Sequence, residues 1–446
     1  METAEYPVTR WAAGNWQLLM SQRRVVITGL GLVTPIGIGA EAVWNALIDR
    51  RSGIRRITAF DPSSFKSQVG GQIESLSIGN FVPKAYRKST KVMARDIEIA
   101  VAAAYEAVRD AGLNTKCMIE RGEATGPSNV DSTRFGANIG AGLICADLNE
   151  LAGALSTSVD ENGQFDIRRW GREGMNNLTP LWLLKFLPNM LSCHVTIVHD
   201  AQAPSNTITC AEASSHLAIG EAFRTIARGA ADVCICGGAE SKLNPMGLMR
   251  QELLRRLSNK YNDQPEKASR PFDADRDGMV ISEGGGLLIV EELEHARRRG
   301  ARIYAEIVGF GASTNSHSWS EPHPEGQGIA LAIRKALDDA GLDASQIDLV
   351  GTFGTGVPAH DVSEVRGIRA ALGERAKSIP ALTVKGAIGN NGAGAGAIDV
   401  AVATLCLKNN TVPPAQNLDR PDPECDLRFV TGSPIDARIN AVVSVA

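Results

Sequence analysis

The sequence predicts a layered α/β fold, and three observations carry that reading. Short apolar, β-rich runs alternate with stretches of helical periodicity along most of the chain. Forty-five glycines among 446 residues punctuate that alternation, as tight turns and close backbone approaches require. A unit of strand, turn and helix at residues 206–229 recurs as strand, glycine-rich turn and helix at 380–407. The recurrence suggests a duplicated fold whose two turns meet at one site.

The elements follow in order. Val25–Thr28 reads as a short strand ending in Gly29-Leu30-Gly31, and Glu41–Asp49 has helical spacing. Thr90–Gly112 reads as a long helix stopped by Gly112. Arg134–Gly142 is a strand and glycine turn, and residues 179–199 hold a helix. Asn206–Thr209 is a strand running into a turn at Cys210–Ala213, followed by an amphipathic helix at His216–Gly229 and a buried strand at Ala231–Gly237. Beyond a polar stretch at 258–278, Gly284–Glu291 and Ile303–Gly311 are strand-like. Ile329–Gly341 is a helix and Ile347–Gly351 a strand. Ser378–Val384 leads into a glycine-rich turn, and Ala397–Leu407 is a helix.

Composition excludes several classes. With 43% hydrophobic and 22% charged residues and a net charge of −4, the chain is globular, with no basic excess for nucleic acid or an anionic membrane. No apolar run approaches the roughly 20 residues that span a bilayer. Residues 1–23 read as a leader or tail, since the first twenty lack the basic start and long apolar stretch of a signal sequence and Met20 would be a natural start. The eight cysteines lie in apolar segments and are expected to be reduced core residues of a cytoplasmic protein. Cys234 and Cys236 face the same way on one strand, but no second pair or nearby histidine completes a zinc site. The seven histidines have no metal-site spacing and read as satisfied surface or core groups. Neither a metal nor a cofactor is implied.

Several stretches resemble one family closely. Val25–Gly37 (VVITGLGLVTPIG) resembles the opening strand and turn of β-ketoacyl-acyl-carrier-protein synthases. Glu266–Gly311 resembles their most recognisable internal segment, and Gly351–Glu364 and Val384–Asp399 resemble their two C-terminal site loops. The resemblance implies a thiolase-like fold of five layers, α-β-α-β-α, built from two similar halves, here 24–292 and 302–446. It also implies a dimer acting on acyl chains held by acyl carrier protein.

Family chemistry needs a cysteine at the first turn of a helix, where the N-terminus favours the thiolate, and two histidines that hold the malonyl thioester carbonyl. A lysine supports the second histidine loop. Counting back from Ile219-Gly220 places the family cysteine on Glu212, a poor nucleophile that would repel a malonate carboxylate. The alternative register makes Cys210 the nucleophile, two residues early and on the strand side of the turn. The first family histidine falls on Phe353, which donates no side-chain hydrogen bond, and the second on Asn390, which donates one but shuttles no proton. Lys385 is retained, and Asp361, Glu364 and Asp399 occupy acidic positions expected to brace the loops. Losing one general base or oxyanion donor typically costs about 10²–10⁴ in rate. Losing the nucleophile as well should abolish condensation.

Ala211-Glu212-Ala213 resembles the turn of the chain-length factor, a non-catalytic sister subunit of type II polyketide synthases, except that glutamine stands there in place of glutamate. The expectation is a non-condensing subunit that pairs with an active synthase, or with itself, and meets acyl carrier protein. Residues 181–193 match the family segment lining the acyl pocket near the dimer interface, and equally suit a core helix. The alternatives are an acyl-carrier-protein-dependent acyltransferase or 3-oxoacyl synthase with altered chemistry, Cys210 being the candidate nucleophile for condensation, and a decayed product. The family usually continues past Val442–Ala446 into a glycine-rich loop and a final strand, so the second sheet is expected to be one strand short with an exposed edge.

Overall fold

The computed structural model describes residues 23–124 and 126–446. Ten strands and seven helices carry the architecture. The strands are β1 (Val25–Thr34), β2 (Phe135–Ala141), β3 (Ser205–Ile208), β4 (Val233–Ser241), β5 (Glu283–Glu292), β6 (Ala305–Ile307), β7 (Leu349–Gly351), β8 (Pro380–Leu382), β9 (Arg428–Phe429) and β10 (Val442–Ser444). The helices are α1 (Arg95–Ala111), α2 (Met190–His199), α3 (Ser214–Ala227), α4 (Pro245–Leu253), α5 (Gln327–Ala340), α6 (Pro358–Leu372) and α7 (Ala395–Asn409).

The first sheet runs Gly37–Ile38, β1, β5, β4, β2, β3, with β6 also pairing with β1. The second runs β9, β8, β7, β10, all parallel. Alternation along buried strands sorts their side chains into separate apolar layers. Phe135, Ile139, Ile235, Leu287 and Ile289 meet Val101 and Val108 of α1 and Leu191 and Val195 of α2 on one face of the first sheet. Cys234, Cys236, Leu288 and Val290 point the other way, onto Ala222 and Ile226 of α3 and Ala401 and Val402 of α7. Leu349 and Leu382 of the second sheet reach the same central layer. Val350, Ala381 and Val443 face outward onto Ile333 and Leu337 of α5 and Ile368 and Leu372 of α6. Helices, sheet, helices, sheet, helices: these are the five layers of the thiolase-like fold.

Several elements differ from the sequence reading. Gly29 and Gly31 do not end the first strand. β1 continues to Thr34 with a register shift between Ile27 and Gly29. A Cβ on either glycine would lie 2.3 or 2.0 Å from the carbonyl oxygen of Ala107 or Ala103, so these glycines let α1 pack against the strand. The helix expected from Thr90 begins at Arg95, after a short 3₁₀ turn at Ser89–Val92. The helix expected over 179–199 is a 3₁₀ turn at Trp182–Phe186, a break at Pro188 and then α2, because proline offers no donor and restricts its predecessor. Leu181 and Leu183 are exposed, so the first part of that segment is not a core helix. Ile303–Gly311 is a strand only over β6. Five cysteines are buried, whereas Cys145 and Cys193 are half-buried and Cys210 is exposed. Of the expected leader, residues 1–22 lie outside the described residues. Arg23 is docked on the body, donating to the carbonyl of Ala231 (2.9 Å) and pairing with Asp232.

β10 is the outermost strand of the second sheet. Beside it lies an apolar cavity of about 240 Å³, lined by Ile307, Phe310, Ile333, Val443 and Val445 among others. Among the described residues, no helix is long and apolar enough to cross a membrane.

Candidate functional site

Three connections meet at the centre of the molecule. The first joins β3 to α3, the second β7 to α6 and the third β8 to α7. The first and third are the repeated strand–turn–helix units, and they touch. Ser215 Oγ donates to the carbonyl of Ala393, and Glu240 at the end of β4 accepts the Ala393 N–H at 2.7 Å.

The first turn is a 3₁₀ segment, Ala211–Ala213, that runs directly into α3. Ala211 has a left-handed backbone (φ +46°), a local cost for a residue with a Cβ. Ser214 holds the turn closed, its Oγ accepting the Cys210 N–H at 2.8 Å and donating to the Ala211 carbonyl at 2.7 Å. Glu212 projects inward, its side chain 31% exposed, and Oε1 accepts from Lys242 Nζ at 2.9 Å. Asn390 of the third connection donates to the same oxygen at 3.5 Å. The Lys242 ammonium holds the Glu212 carboxyl down to about 2, so the group is ionised at neutral pH. Cys210 is exposed, and a cavity of about 390 Å³ behind the turn is lined by Thr209, Ala211 and Glu212 but not by Cys210.

The second connection is held from beneath by two buried carboxylates. Glu364 accepts the N–H groups of Phe353 (2.6 Å) and Gly354 (2.9 Å). Asp361 accepts those of Phe272 (2.8 Å) and Gly356 (3.0 Å) and lies 3.3 Å from Arg276 Nε. Burial pushes Glu364 up to about 7 and raises Asp361 as well. The ring of buried Phe353 takes the Lys385 ammonium on its face, with Nζ 4.2 Å from the ring centroid. Lys385 in turn pairs with Asp399 on α7, both almost wholly buried. Burial lowers Lys385 and pushes Asp399 up to about 6, while their mutual attraction opposes both movements.

The structure therefore brings Glu212 to Asn390 and Phe353 to Lys385. Asp361, Glu364 and Asp399 sit beneath the loops. Two groups at the turn were not found from sequence: Glu240 and Lys242. Their signal was present as charged residues closing the otherwise apolar run VCICGGAESK, since a strand buried along its length has no structural use for an ammonium. Gly392 (φ +58°) makes room for both, because a Cβ there would fall 1.9 Å from Glu240 Oε2 and 2.5 Å from Lys242 Cε.

Four histidines have one ring nitrogen enclosed and without a hydrogen bond, which corrects the reading of them as satisfied groups: His194 and His199, which are buried, and His216 and His360, which are half-buried. His216 Nε2 meets Ser444 Oγ at 3.0 Å, and burial lowers its pKa to about 4. His360, in the first turn of α6, faces Glu321 at 3.4 Å. Among the described residues, no group of three or more His, Cys, Asp or Glu could hold a metal ion.

Comparison with known proteins agrees with this architecture. Residues 22–296 match the β-ketoacyl synthase N-terminal domain and residues 304–419 the C-terminal domain. The chain belongs to the β-ketoacyl synthase family. It is 35% identical to 3-oxoacyl-[acyl-carrier-protein] synthase 2 of Coxiella burnetii over 95% of both chains. Among solved structures it resembles the ishigamide ketosynthase/chain length factor (TM-score 0.79, 28% identity, 95% of this chain and 96% of that one). It also resembles a type II polyketide acyl-carrier protein complex with its ketosynthase bound to the hexaketide (TM-score 0.79, 29% identity, 95% of both chains). The family is one of fatty-acid and polyketide biosynthesis. Within it, the three connections described above are the places where the sequence resemblance puts the reacting groups.

Proposed function

We propose that this chain is a non-condensing partner subunit of an active β-ketoacyl synthase. The observation that carries the proposal is the Glu212–Lys242 ion pair at the first turn of α3, capped by the Asn390 amide. A carboxylate held ionised by an ammonium is a weak nucleophile toward a thioester, and its charge opposes an incoming malonate. Phe353 offers no side-chain donor at the position where the resemblance assigns the first histidine, so no imidazole stands at that position to stabilise an enolate. The names of the two solved neighbours, a ketosynthase/chain length factor and a ketosynthase with its acyl-carrier protein, favour a subunit that sits beside a synthase and faces a carrier. The free edge of the first sheet suits such pairing. β3 is its last strand, Ser205 and Asn206 are exposed there, and Ile197 of neighbouring α2 is exposed as well.

The test is co-expression with an active synthase carrying an intact Cys-His-His site. A stable 1:1 complex is expected, together with no carbon–carbon bond formation by the purified chain alone. A soluble homodimer that condenses acyl and malonyl thioesters would overturn the proposal. So would a mass adduct on Cys210 after incubation with an acyl-carrier thioester.

A further inference from the structure

The two halves of the fold repeat each other, and the repeat is incomplete at one place. In the first sheet β3, β2, β4, β5 and β1 lie side by side, with β5 antiparallel to both of its neighbours. Gly29 and Gly31 of β1 let α1 pack on that strand through Ala107 and Ala103. The second half repeats this contact. A Cβ on Gly309 or Gly311 would lie 2.4 or 2.1 Å from the carbonyl oxygen of Ala336 or Ala332 on α5. The run 308–311 therefore stands to α5 as β1 stands to α1. In the same way β8, β7 and β10 lie side by side and parallel, as β3, β2 and β4 do. Among the described residues, no strand between β10 and the run 308–311 repeats β5.

That place is the apolar cavity beside β10. Val308 and Gly311 line it on one side and Val443 and Val445 on the other, while Ile333 of α5 and Ile219 of α3 close it above and below. An apolar cavity of about 150 Å³ takes a benzene ring, so about 240 Å³ takes a few aliphatic side chains. The Val445 N–H is engaged by the Gly351 carbonyl of β7 at 2.9 Å. By the alternation of a strand, the Ser444 N–H faces the cavity side, as on an open sheet edge.

The direction of the chain indicates what fits. β5 runs antiparallel to β1 and ends where β1 starts, with Glu292 opposite Val25. A strand repeating it beside 308–311 would end near Ile307. Val25 is itself paired with Ile307, so the residues just ahead of Val25 arrive at that end of the cavity. Arg24 is ion-paired with Glu306, which lines the cavity, and Arg23 donates to the Ile226 carbonyl at 3.2 Å near the end of α3. Twenty-two residues precede Arg23. Their apolar run Leu18-Leu19-Met20 ends three residues before Arg23, about 10 Å of extended chain.

We propose that residues 1–22 supply the strand that completes the second sheet, with Leu18, Leu19 and Met20 in the cavity and their backbone paired to β10 at Ser444. The mode is strand addition: the sheet edge offers the backbone pairing and the cavity selects the side chains.

Hydrogen exchange of the full 446-residue chain, read by mass spectrometry at the peptide containing Ser444, tests this. Slow exchange is expected there. Leu18→Asp combined with Leu19→Asp should speed it about tenfold or more while leaving β4 and β5 unchanged, and a synthetic peptide of residues 9–22 added to that variant should slow it again. Should the double variant fail to fold, Leu19→Ala should give a smaller acceleration at the same peptide. Fast exchange at Ser444 in the unaltered chain, or exchange that neither variant changes, would overturn the proposal. So would protection that arises only on binding an active synthase, because the partner would then fill the cavity.

Discussion

Two charged clusters lie on either side of the third connection, and they differ in how their charges are satisfied. Around Lys385, every carboxylate is enclosed and has fixed partners: Asp399 has the ammonium, Glu364 two backbone N–H groups, and Asp361 two more and Arg276. Around Glu212, the carboxylate is one-third exposed, its lysine is shared with Glu240, and a neighbouring guanidinium has no partner among the described residues. The first cluster fixes loop shape, because its acceptors hold backbone donors that would otherwise be buried unpaired. The second lines a cavity and fixes little backbone. Side chains at such a place can change without loss of the fold. On the proposed reading, the chain keeps the family architecture while Glu212 and Asn390, at the open cluster, stand at two of the reacting positions that the resemblance assigns.

The sharpest way to break this comparison is to remove one charge from the enclosed cluster. Lys385→Ala leaves Asp399 buried and alone and strips a cation from the Phe353 face. Breaking a buried pair from one side costs about 3–5 kcal/mol, a large part of a domain's whole stability. We expect Lys385→Ala to lower the denaturation midpoint severely or to give insoluble protein, with Asp399→Asn milder because the ammonium it strands still has Glu364 nearby and the Phe353 ring beneath it. Chemical unfolding followed by circular dichroism checks it. A variant with wild-type stability would show that this cluster does not brace the loops.

A second, smaller effect separates the clusters by pH. Glu212 is held down to about 2 by Lys242, so its contribution to stability is present above the ordinary carboxylate value and is lost as pH falls through about 2. Glu364 is pushed up to about 7 by burial, so its contribution is present below the ordinary value and is lost as pH rises through about 7. Asp399 follows the same direction near 6. Melting temperature should therefore decline between about pH 4 and 7 and level off above that, and Glu364→Gln should flatten the upper part of that decline while leaving the limb at lower pH intact. Thermal scans from pH 3 to 9 on both proteins decide it, and an unchanged decline between about pH 5 and 7 in Glu364→Gln would remove Glu364 from the account.

Much of this layout was legible in the residues, for identifiable reasons. Strands buried on both faces leave near-continuous apolar runs, so β4 and β5 were readable from VCICGG and GGGLLIV. The repeated strand–turn–helix units were readable, and their turns do meet, through Ser215 and Ala393. What escaped depends on packing between distant segments. Gly29 and Gly31 look like the end of a strand until α1 is laid across them. Lys242, Arg250 and Arg256 look like surface charge until the end of β4 and the segment through α4 fold behind the Glu212 turn. Periodicity reports which face of an element is buried. It carries no record of which other element's charges arrive there.

The smallest expected effect bears most directly on the open cluster. Glu212→Gln keeps the side chain's size and removes its charge, leaving Lys242 opposed by Glu240. Because Glu212 is partly exposed and its lysine retains a second carboxylate, the loss should be only about 1 kcal/mol, well below that for Lys385→Ala. A double-mutant cycle of Glu212→Gln and Lys242→Met isolates the pair itself, and a coupling of about 1 kcal/mol is expected from unfolding curves of the four proteins. Near-zero coupling would mean that Lys242 belongs energetically to Glu240 and that Glu212 is free to reorient. A coupling as large as the whole effect of Lys385→Ala would mean that the turn is braced like the rest of the loops, and the contrast between the two clusters would fail.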